Sequence, residues 1–420
     1  MKARWIALGL IGAVLLSGSQ PAGTHETRIS ATGAGSNAFT FDLLRQQARN
    51  GPSNVAVSGH GIFHCLAMGY VASGGGTRAE LARLCRYPDD NAALVEELAA
   101  LNRDLGRSAS GKVEARFAAS LWVDRTFADF RKDYLQSVTA LNDRPPEAIS
   151  FQQADTASDS VNRWVRKATG GRIDQIVSPD DFASASGGGW TNEPALVAVS
   201  ALSFQAKWES RFDESESRAD TFHPAPGQNM QVCYMHQENL LAFAEDKDFR
   251  FLQLPYGGRD YSMLLYLPKE NLAPERMTAL LDEKRCFDLR ARAFGHSVDV
   301  LLPRFEFRHR FDAKTALETL GVRRAFDSRS ADFDGMINKR IGAFRIYFRH
   351  LVQETWIKVD EEGTKAASAS AGTGFSIGCS AAHIPAPAEF HADHPFLFLI
   401  MHNPSRAIVL GGWIARPSAP

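Results

Sequence analysis

Residues Lys358 to Pro387 read KVDEEGTKAASASAGTGFSIGCSAAHIPAP. Three acids, Asp360, Glu361 and Glu362, lead into Gly363 and Thr364. From Ala366 to Ala371 every side chain is small, and after Lys365 no Lys or Arg occurs until Arg406. Apolar runs flank the stretch, Tyr347 to Val359 before it and Pro395 to Met401 after it. A segment this long without structure of its own is uncommon inside a compact domain and is usually either functional or disordered. Composition alone reads as a flexible Ala/Ser/Gly linker. Small side chains also allow a second reading. Such a segment can slide between two strands and bond to both, with Thr364, Ala366, Ser368 and Ser370 facing inward without overfilling the core.

Upstream, the chain divides by pattern. Helical spacing of apolar residues marks Ala38 to Asn50, ended by Gly51-Pro52, then Ile62 to Val71, Glu80 to Leu84 and Leu94 to Leu105. Ala115 to Val123 alternates as a strand, and Phe127 to Leu141 and Ala157 to Ala168 are amphipathic helices. Ala195 to Phe204 is a near-continuous apolar strand of the kind buried on both faces. Phe251 to Pro268 reads as two strands around the turn at Tyr256 to Asp260, Val298 to Phe307 alternates, Leu317 to Leu320 closes a helix before Gly321, and Phe344 to Val359 is a strand run. The last strands are Pro395 to Met401 and Ala407 to Ile414, joined by Asn403-Pro404-Ser405. Helices dominate to about residue 180 and strands thereafter, which argues an α+β fold.

The 420 residues are enough for a large core, and 44% hydrophobic with 23% charged residues is an ordinary globular balance. Met1 to Ser19 reads as a secretory signal. Lys2 and Arg4 give a positive start, Trp5 to Leu16 an apolar run too short for a comfortable membrane span, and Ser17-Gly18-Ser19 a small-residue cleavage site. Its removal takes away two of the 47 basic residues and none of the 48 acids, moving the formal charge from −1 to −3. Such a near-neutral surface gives no global case for nucleic acid or an anionic membrane. The clusters Arg163/Arg166/Lys167/Arg172 and Arg323/Arg324 read as solvated faces. Residues 20–36, rich in Gly, Ala, Ser and Thr, read as a flexible lead-in, and 37–420 as one domain without internal repeats. The expected location is secreted, extracellular or periplasmic. The five cysteines, Cys65, Cys85, Cys233, Cys286 and Cys379, match no metal spacing, and their odd number leaves at least one thiol unpaired. Cys65–Cys85 is a candidate pair, and Cys379, inside the long loop, is the candidate reactive thiol.

Several catalytic readings fail on context. Gly374-Phe375-Ser376-Ile377-Gly378 matches G-x-S-x-G, an elbow that needs a strand before the Ser and a helix after it. Here small residues precede, Pro385 and Pro387 follow, and only 44 residues remain. His383, His391, Asp393 and His394 crowd one short segment instead of converging from separate elements. His391 and His394 lack a third ligand at metal spacing, and His394 reads as structural. Gly33-x-Gly35 has no preceding strand, and Gly74-Gly75-Gly76-Thr77 has no following Lys-Ser/Thr, so neither is a phosphate loop. No catalytic residue, metal site or cofactor is assigned.

Val359 to Ala367, VDEEGTKAA, resembles the reactive-loop hinge of the serpins, and Phe390 to Phe398, FHADHPFLF, resembles their C-terminal signature. Further blocks are similar to the same family. They are Val161-Asn162-Arg163-Trp164-Val165 with Thr169 to Ile173 (Arg172 standing where the family has Lys), Lys207-Trp208 with Phe212, Leu254-Pro255-Tyr256 with Ser262-Met263 and Leu267-Pro268, and Leu302-Pro303-Arg304-Phe305. On these blocks the chain is identified as a member of the serpin family. The resemblance implies an α+β fold of three β-sheets and about nine helices, with an exposed reactive-centre loop over about residues 361–387.

In that family a protease cleaves the loop and forms an acyl-enzyme. The freed loop then enters the main sheet as a new strand, and the distorted protease stays attached. The resemblance thus implies a metastable suicide inhibitor and not an enzyme. Glu361, Glu362, Gly363 and Thr364 are the hinge where insertion starts. Ala366, Ala367, Ser368, Ala369 and Ser370 ease insertion, where non-inhibitory relatives carry bulky, charged or Pro residues. Counting forward from Glu361 as the family does places the scissile bond at Ile377–Gly378. Counting back from Pro395 reaches Ala381 to Ile384 instead, so Ala381 and Ala382, with Phe375, are alternatives. No basic residue is available to a trypsin-like pocket. The implied partners are elastase-like or chymotrypsin-like serine proteases, met by a monomer. Papain-like cysteine proteases are the alternative target, and a serpin-fold binding or carrier protein the alternative function. The sheet-opening region falls on Trp208 and on a buried polar cluster that is usually Ser, Ser, Asn and His. The corresponding positions here are Ser58, Gly61, Ser200 and Gln353.

Overall fold

The computed structural model describes residues 29–107, 111–182, 195–338, 345–364 and 386–418. Outside them lie the signal reading of 1–19, the hinge residues Ala366, Ala367, Ser368, Ala369 and Ser370, and the bond candidates at Phe375, Ile377–Gly378, Ala381 and Ala382. Cys379 also lies outside.

The first helix, α1 (Ala31–Gln47), is capped by the Ser30 side chain, which accepts from Gly33 N. The lead-in expected through Ser36 therefore ends earlier. Thr32 donates to Glu97 through its N and its Oγ1, and a side chain on Gly35 would meet the Cys85 carbonyl at 2.8 Å. Over Ala31 to Ser36, what looks flexible by composition is the small-residue face of a packed helix. After β1 (Val55–Val57) comes α2 (Gly59–Tyr70), which carries no Asp, Glu, Lys or Arg and is buried on every side. α3 (Gly75–Cys85) and α4 (Asn91–Leu105) follow. β2 (Val113–Asp124), α5 (Lys132–Asn142), β3 (Glu147–Ile149) and α6 (Ala154–Ala168) complete the first half. α5 starts at Lys132 and not at Phe127. Arg125–Phe127 makes one tight turn and Phe130 forms a lone bridge with Ile337, which removes both from the helix.

β4 (Ala195–Lys207) is buried along all but its last residue. β5 (Arg218–Ala225), β6 (Gln228–Glu245), β7 (Phe249–Pro255) and β8 (Tyr261–Pro268) form a meander. α7 (Pro274–Leu280), α8 (Glu283–Arg292), β9 (Phe294–Pro303), β10 (Phe305–Asp312) and α9 (Lys314–Thr319) lead to β11 (Tyr347–Val359) and the two-residue β12 (Gly363–Thr364). β13 (Ala388–His391), β14 (Phe396–His402) and β15 (Ala407–Ile414) end the chain.

The described residues form nine α-helices and two hydrogen-bonded sheets. The six-stranded sheet runs β10-β11-β4-β2-β3, with β12 added on β4. Its centre is the parallel pair β4 and β11, which runs from Ala195–Tyr347 to Ser203–Trp356 with one register shift between Phe348 and His350. The other sheet runs β1-β15-β14-β8-β7-β6-β9-β13, with β5 on β6. The long β6 makes it continuous, pairing with β5 through its first half and with β7 only at Ala242 to Glu245. Two of the three expected sheets are thus the two ends of this one. α2 lies between the sheets, against β2, β4 and β11 on one side and β15 on the other.

Cys65 and Cys85 are free thiols, not the pair the sequence allowed. Cys65 points from α2 at the Val199 carbonyl of β4, 3.5 Å away, while Cys85 ends α3. Burial pushes both up to about 12, so neither is a ready nucleophile. Cys233 and Cys286 are also free.

Candidate functional site

β11 runs out at Val359, and the chain reverses within four residues. Asp360 N donates to Gly363 O at 2.9 Å, Gly363 N returns a bond to Asp360 O at 3.1 Å, and Glu362 N donates to Asp360 Oδ1 at 3.2 Å. Gly363 makes the reversal feasible. Its φ is +142°, and a Cβ there would lie 2.2 Å from the Ala206 carbonyl and 2.6 Å from Lys207 Cα. β12 then pairs antiparallel with β4, Gly363 with Lys207 and Thr364 with Ala206. The hinge has entered the mouth of the seam between β11 and β4, just past the point where their own pairing stops.

The two hinge glutamates are held differently. Glu361 is 4% exposed. Its carboxylate accepts from Arg304 Nε at 2.6 Å and from the Ser217 hydroxyl, and its carbonyl accepts from Phe212 N at 3.1 Å. The Glu362 carboxylate lies 3.7 Å from Arg211, and its carbonyl accepts from Trp208 N at 3.0 Å. Trp208 also donates from Nε1 to Asp360 O at 3.0 Å and stacks flat on Tyr256, with ring centroids 4.6 Å apart. Burial raises the Asp360 carboxyl, opposed by Lys358 3.7 Å away.

Lower in the seam, Gln353 of β11 and Ser200 of β4 are register partners. Gln353 holds Ser58 at both backbone groups, accepting from Ser58 N at 3.0 Å and donating to Ser58 O at 2.7 Å. Its Nε2 also reaches Ser200 Oγ at 3.2 Å, and Ser58 Oγ accepts from Gly61 N at 3.2 Å to start α2. A Cβ on Gly61 would fall 2.2 Å from Ser200 Oγ. The bare glycine therefore leaves the room that the Ser200 hydroxyl occupies. The four positions singled out in the sequence meet in one buried cluster that ties β4, β11 and α2 together.

Beside this cluster a second polar chain runs from Ser36 through α2 to β2. His60 meets Ser36 Oγ at 3.3 Å and Asn102 Oδ1 at 2.8 Å. Asn102 meets His64 Nδ1 at 3.0 Å, and His64 meets Asn142 Oδ1 at 3.0 Å. Asn142 then donates to Ala119 O at 3.0 Å. Burial lowers both histidines, and for His64 burial and then the neighbouring His60 bring it down to about 3. A cavity of about 460 Å³ adjoins this chain, with Arg103, Arg116 and Asp143 in its wall.

The chain after the loop is anchored by its own histidines. β13 lies parallel to β9. His391 Nε2 meets Asp299 Oδ2 at 3.0 Å, and the other oxygen of Asp299 meets His236 Nε2 at 2.9 Å. His394 meets Asp393 Oδ1 at 2.6 Å and donates from Nε2 to the Pro268 carbonyl at 2.8 Å. These histidines fasten strands and do not converge on a nucleophile; Ser376 and His383 lie outside the described residues. Among the described residues no group of three or more His, Cys, Asp or Glu could hold a metal ion.

Sequence reading missed Arg304 and Ser217 as the partners of Glu361, and Tyr256 as the platform for Trp208. Arg304 and Tyr256 do stand inside the similar blocks at Leu302 to Phe305 and Leu254 to Tyr256. Their pairing across the fold leaves no trace in spacing.

A family model described as serpin (serine protease inhibitor) matches residues 34–417. An uncharacterized serpin-like protein of Thermococcus kodakarensis is 32% identical over 382 residues, covering 91% of this chain and 84% of that protein. The leukocyte elastase inhibitor of Equus caballus is 28% identical over 389 residues, covering 90% and 97% of the two chains. The crystal structure of native protease nexin-1 with heparin matches at a TM-score of 0.78 and 25% identity, covering 92% of this chain and 100% of that one.

Proposed function

The chain belongs to the serpin family, and on that premise we propose that it is a secreted, single-use inhibitor of elastase-like or chymotrypsin-like serine proteases. One observation carries the reading: Gly363 and Thr364 already pair with β4 at the mouth of the β11–β4 seam. Extending that pairing needs no further reversal of the chain. The residues that would follow, Ala366, Ala367, Ser368, Ala369 and Ser370, have side chains small enough to pass between two buried strands.

The protease serine attacks the carbonyl carbon of Ile377. The Ile377–Gly378 bond breaks, Gly378 leaves as a new amino terminus, and Ile377 is held as an ester. The freed segment then runs into the seam antiparallel to β4 and carries the esterified enzyme to the far end of the sheet. About a dozen inserted residues gaining roughly 1 kcal/mol of net hydrogen bonding each supply on the order of 10 kcal/mol. That is comparable to the stability of a whole domain and suffices to distort the captive enzyme. The absence of Lys and Arg between Lys365 and Arg406 supports an apolar specificity pocket in the target. Secretion rests on the charged start, apolar run and small residues of Met1 to Ser19.

The test mixes the full-length protein with pancreatic elastase, chymotrypsin, trypsin and papain, followed by a denaturing gel and sequencing of the cleaved product. A stable band at the summed mass with elastase or chymotrypsin, and a new amino terminus at Gly378, is the expected result. Clean cleavage with no complex would move the reading to a binding or carrier protein. A complex with papain alone would move it to cysteine proteases, and a new terminus at Ala382 would relocate the bond.

A further inference from the structure

The connection after α6 crosses the outer face of the six-stranded sheet, and three arginines join it to the strands below. Two of them grip one strand each. Arg310 of β10 donates to Ile176 O at 2.7 Å and to Asp181 at 3.1 Å, and Arg349 of β11 donates to Phe182 O at 2.9 Å. The third, Arg172, belongs to the connection itself and reaches two strands at once. Its Nη2 donates to Gln205 Oε1 of β4 at 3.2 Å, and its guanidinium lies 5.5 Å from the Trp356 ring of β11. Its Nε is buried without a hydrogen-bond partner.

These two contacts straddle the one seam that has to open. Trp356 stands at the last step of β4–β11 pairing, opposite Ser203, and Gln205 is two residues further along β4. From the other direction β12 has reached Lys207 and Ala206. The next position along β4 is Gln205, the residue that Arg172 holds.

We infer that Arg172 is a clasp across the β4–β11 seam, closing it ahead of the hinge and releasing one strand before the loop can advance. An entering strand doubles the separation of β4 and β11 from about 4.8 Å to about 9.6 Å. One guanidinium cannot keep both contacts over that added distance, so they exist only in the uninserted state. The unpartnered Nε fits this arrangement, since the planar fork is aimed by its two seam contacts at the expense of a third bond. Arg172 is a positioning residue: it touches neither the protease nor the scissile bond. The inference rests on the insertion reading above.

The experiment uses the intact protein and a synthetic peptide with the sequence of residues 364–375, whose uptake into the sheet is followed by native gel and tryptophan fluorescence. Arg172→Gln is expected to take up the peptide about five- to tenfold faster than the natural protein, the loss of one charge-assisted bond and one cation–ring contact. Arg172→Lys, which keeps the charge but not the planar fork, is expected to fall between them, and it serves as the comparison if Arg172→Gln folds poorly. Arg310→Gln, which loosens the same connection without touching the seam, is expected to keep the natural rate. Melting of the peptide-loaded form is expected to be unchanged by any of the three, because the clasp is already open there. Equal uptake by Arg172→Gln and the natural protein would overturn the clasp alone, as would equal acceleration by Arg310→Gln. If the natural protein takes up no peptide and gains no thermal stability on loop cleavage, the insertion reading falls and the clasp with it.

Discussion

Arg304 closes over Glu361: its Nε donates to the carboxylate at 2.6 Å, leaving the acid 4% exposed while the arginine side chain itself remains 41% open. The pair joins the hinge to the chain between β9 and β10. Glu361→Lys would set two cations against each other beside Ser217. After allowing for solvent on the arginine side, the expected loss is about 2 kcal/mol of native stability. Glu362→Lys, at a more open site 3.7 Å from Arg211, is expected to cost less than about 1 kcal/mol. Urea unfolding of both variants checks the ranking, and equal losses would show that the Arg304 contact is not what holds the hinge.

Gly363 is the residue on which the hinge pairing turns. A side chain at this φ meets backbone on β4, which cannot move aside, so Gly363→Val is expected to cost about 1–3 kcal/mol and to expel β12 from the seam. Trp208 N, which donates to Glu362 O, would lose its acceptor. Faster hydrogen exchange at the Trp208 amide, with the rest of β4 still protected, is the expected signature. A variant with unaltered Trp208 protection would contradict it.

The space above Gly61 is claimed by the Ser200 hydroxyl. Gly61→Ser alone therefore forces a contact of 2.2 Å, whereas Gly61→Ser with Ser200→Ala removes the opposing oxygen. The two changes are expected to be coupled by about 1–2 kcal/mol, the double variant being more stable than Gly61→Ser. Additive losses in a double-mutant cycle would mean that the cluster rearranges freely.

His60 and His64 give the native state an acid-sensitive element. Both have an ordinary value of 6.5, and His64 in the fold is depressed by burial and then by His60 to about 3. Between those values the unfolded chain carries the extra proton. The stability is thus complete above pH 6.5 and is lost as the pH falls toward 3, by up to about 1.4 kcal/mol per pH unit from His64. Urea midpoints at neutral and mildly acidic pH are expected to separate more for the natural protein than for His64→Gln. Parallel acid losses in the two would assign the sensitivity to other groups.

What could be read in the sequence followed the physics of each signal. β4 was legible because a strand covered on both faces must be mostly apolar, and Ala195 to Phe204 is broken only by Ser200 and Ser203. The hinge at Glu361 to Thr364 was nameable only by resemblance, and the reversal at Gly363 was not read, because a glycine permits a turn without dictating one. α1 was misplaced because Ala, Gly and Ser before Asn37 look the same whether loose or packed; only the contact with Glu97 and the close approach to Cys85 decide. β6 escaped because its ends are exposed and its burial alternates irregularly, as its partner changes from β5 to β7. The cluster of Ser58, Gly61, Ser200 and Gln353 was nameable by resemblance. Its geometry was not, because Gln353 reaches Ser58 across 295 positions of chain.

The pairing of β1 with β15 sets the order in which the molecule can be finished. Val55 to Val57 lie against Trp413 to Gly411, and Asn37 of α1 fastens both Arg406 O and Ile408 N. Among the described residues the first strand is completed by the last, so β15 must have been synthesised before this sheet can close. A product interrupted ahead of Ala407 would leave β1 unpaired and β14 as an apolar open edge, the surface most prone to join another chain. Synthesis through β15 is therefore the step that turns a sticky precursor into one whose sheet has no such edge.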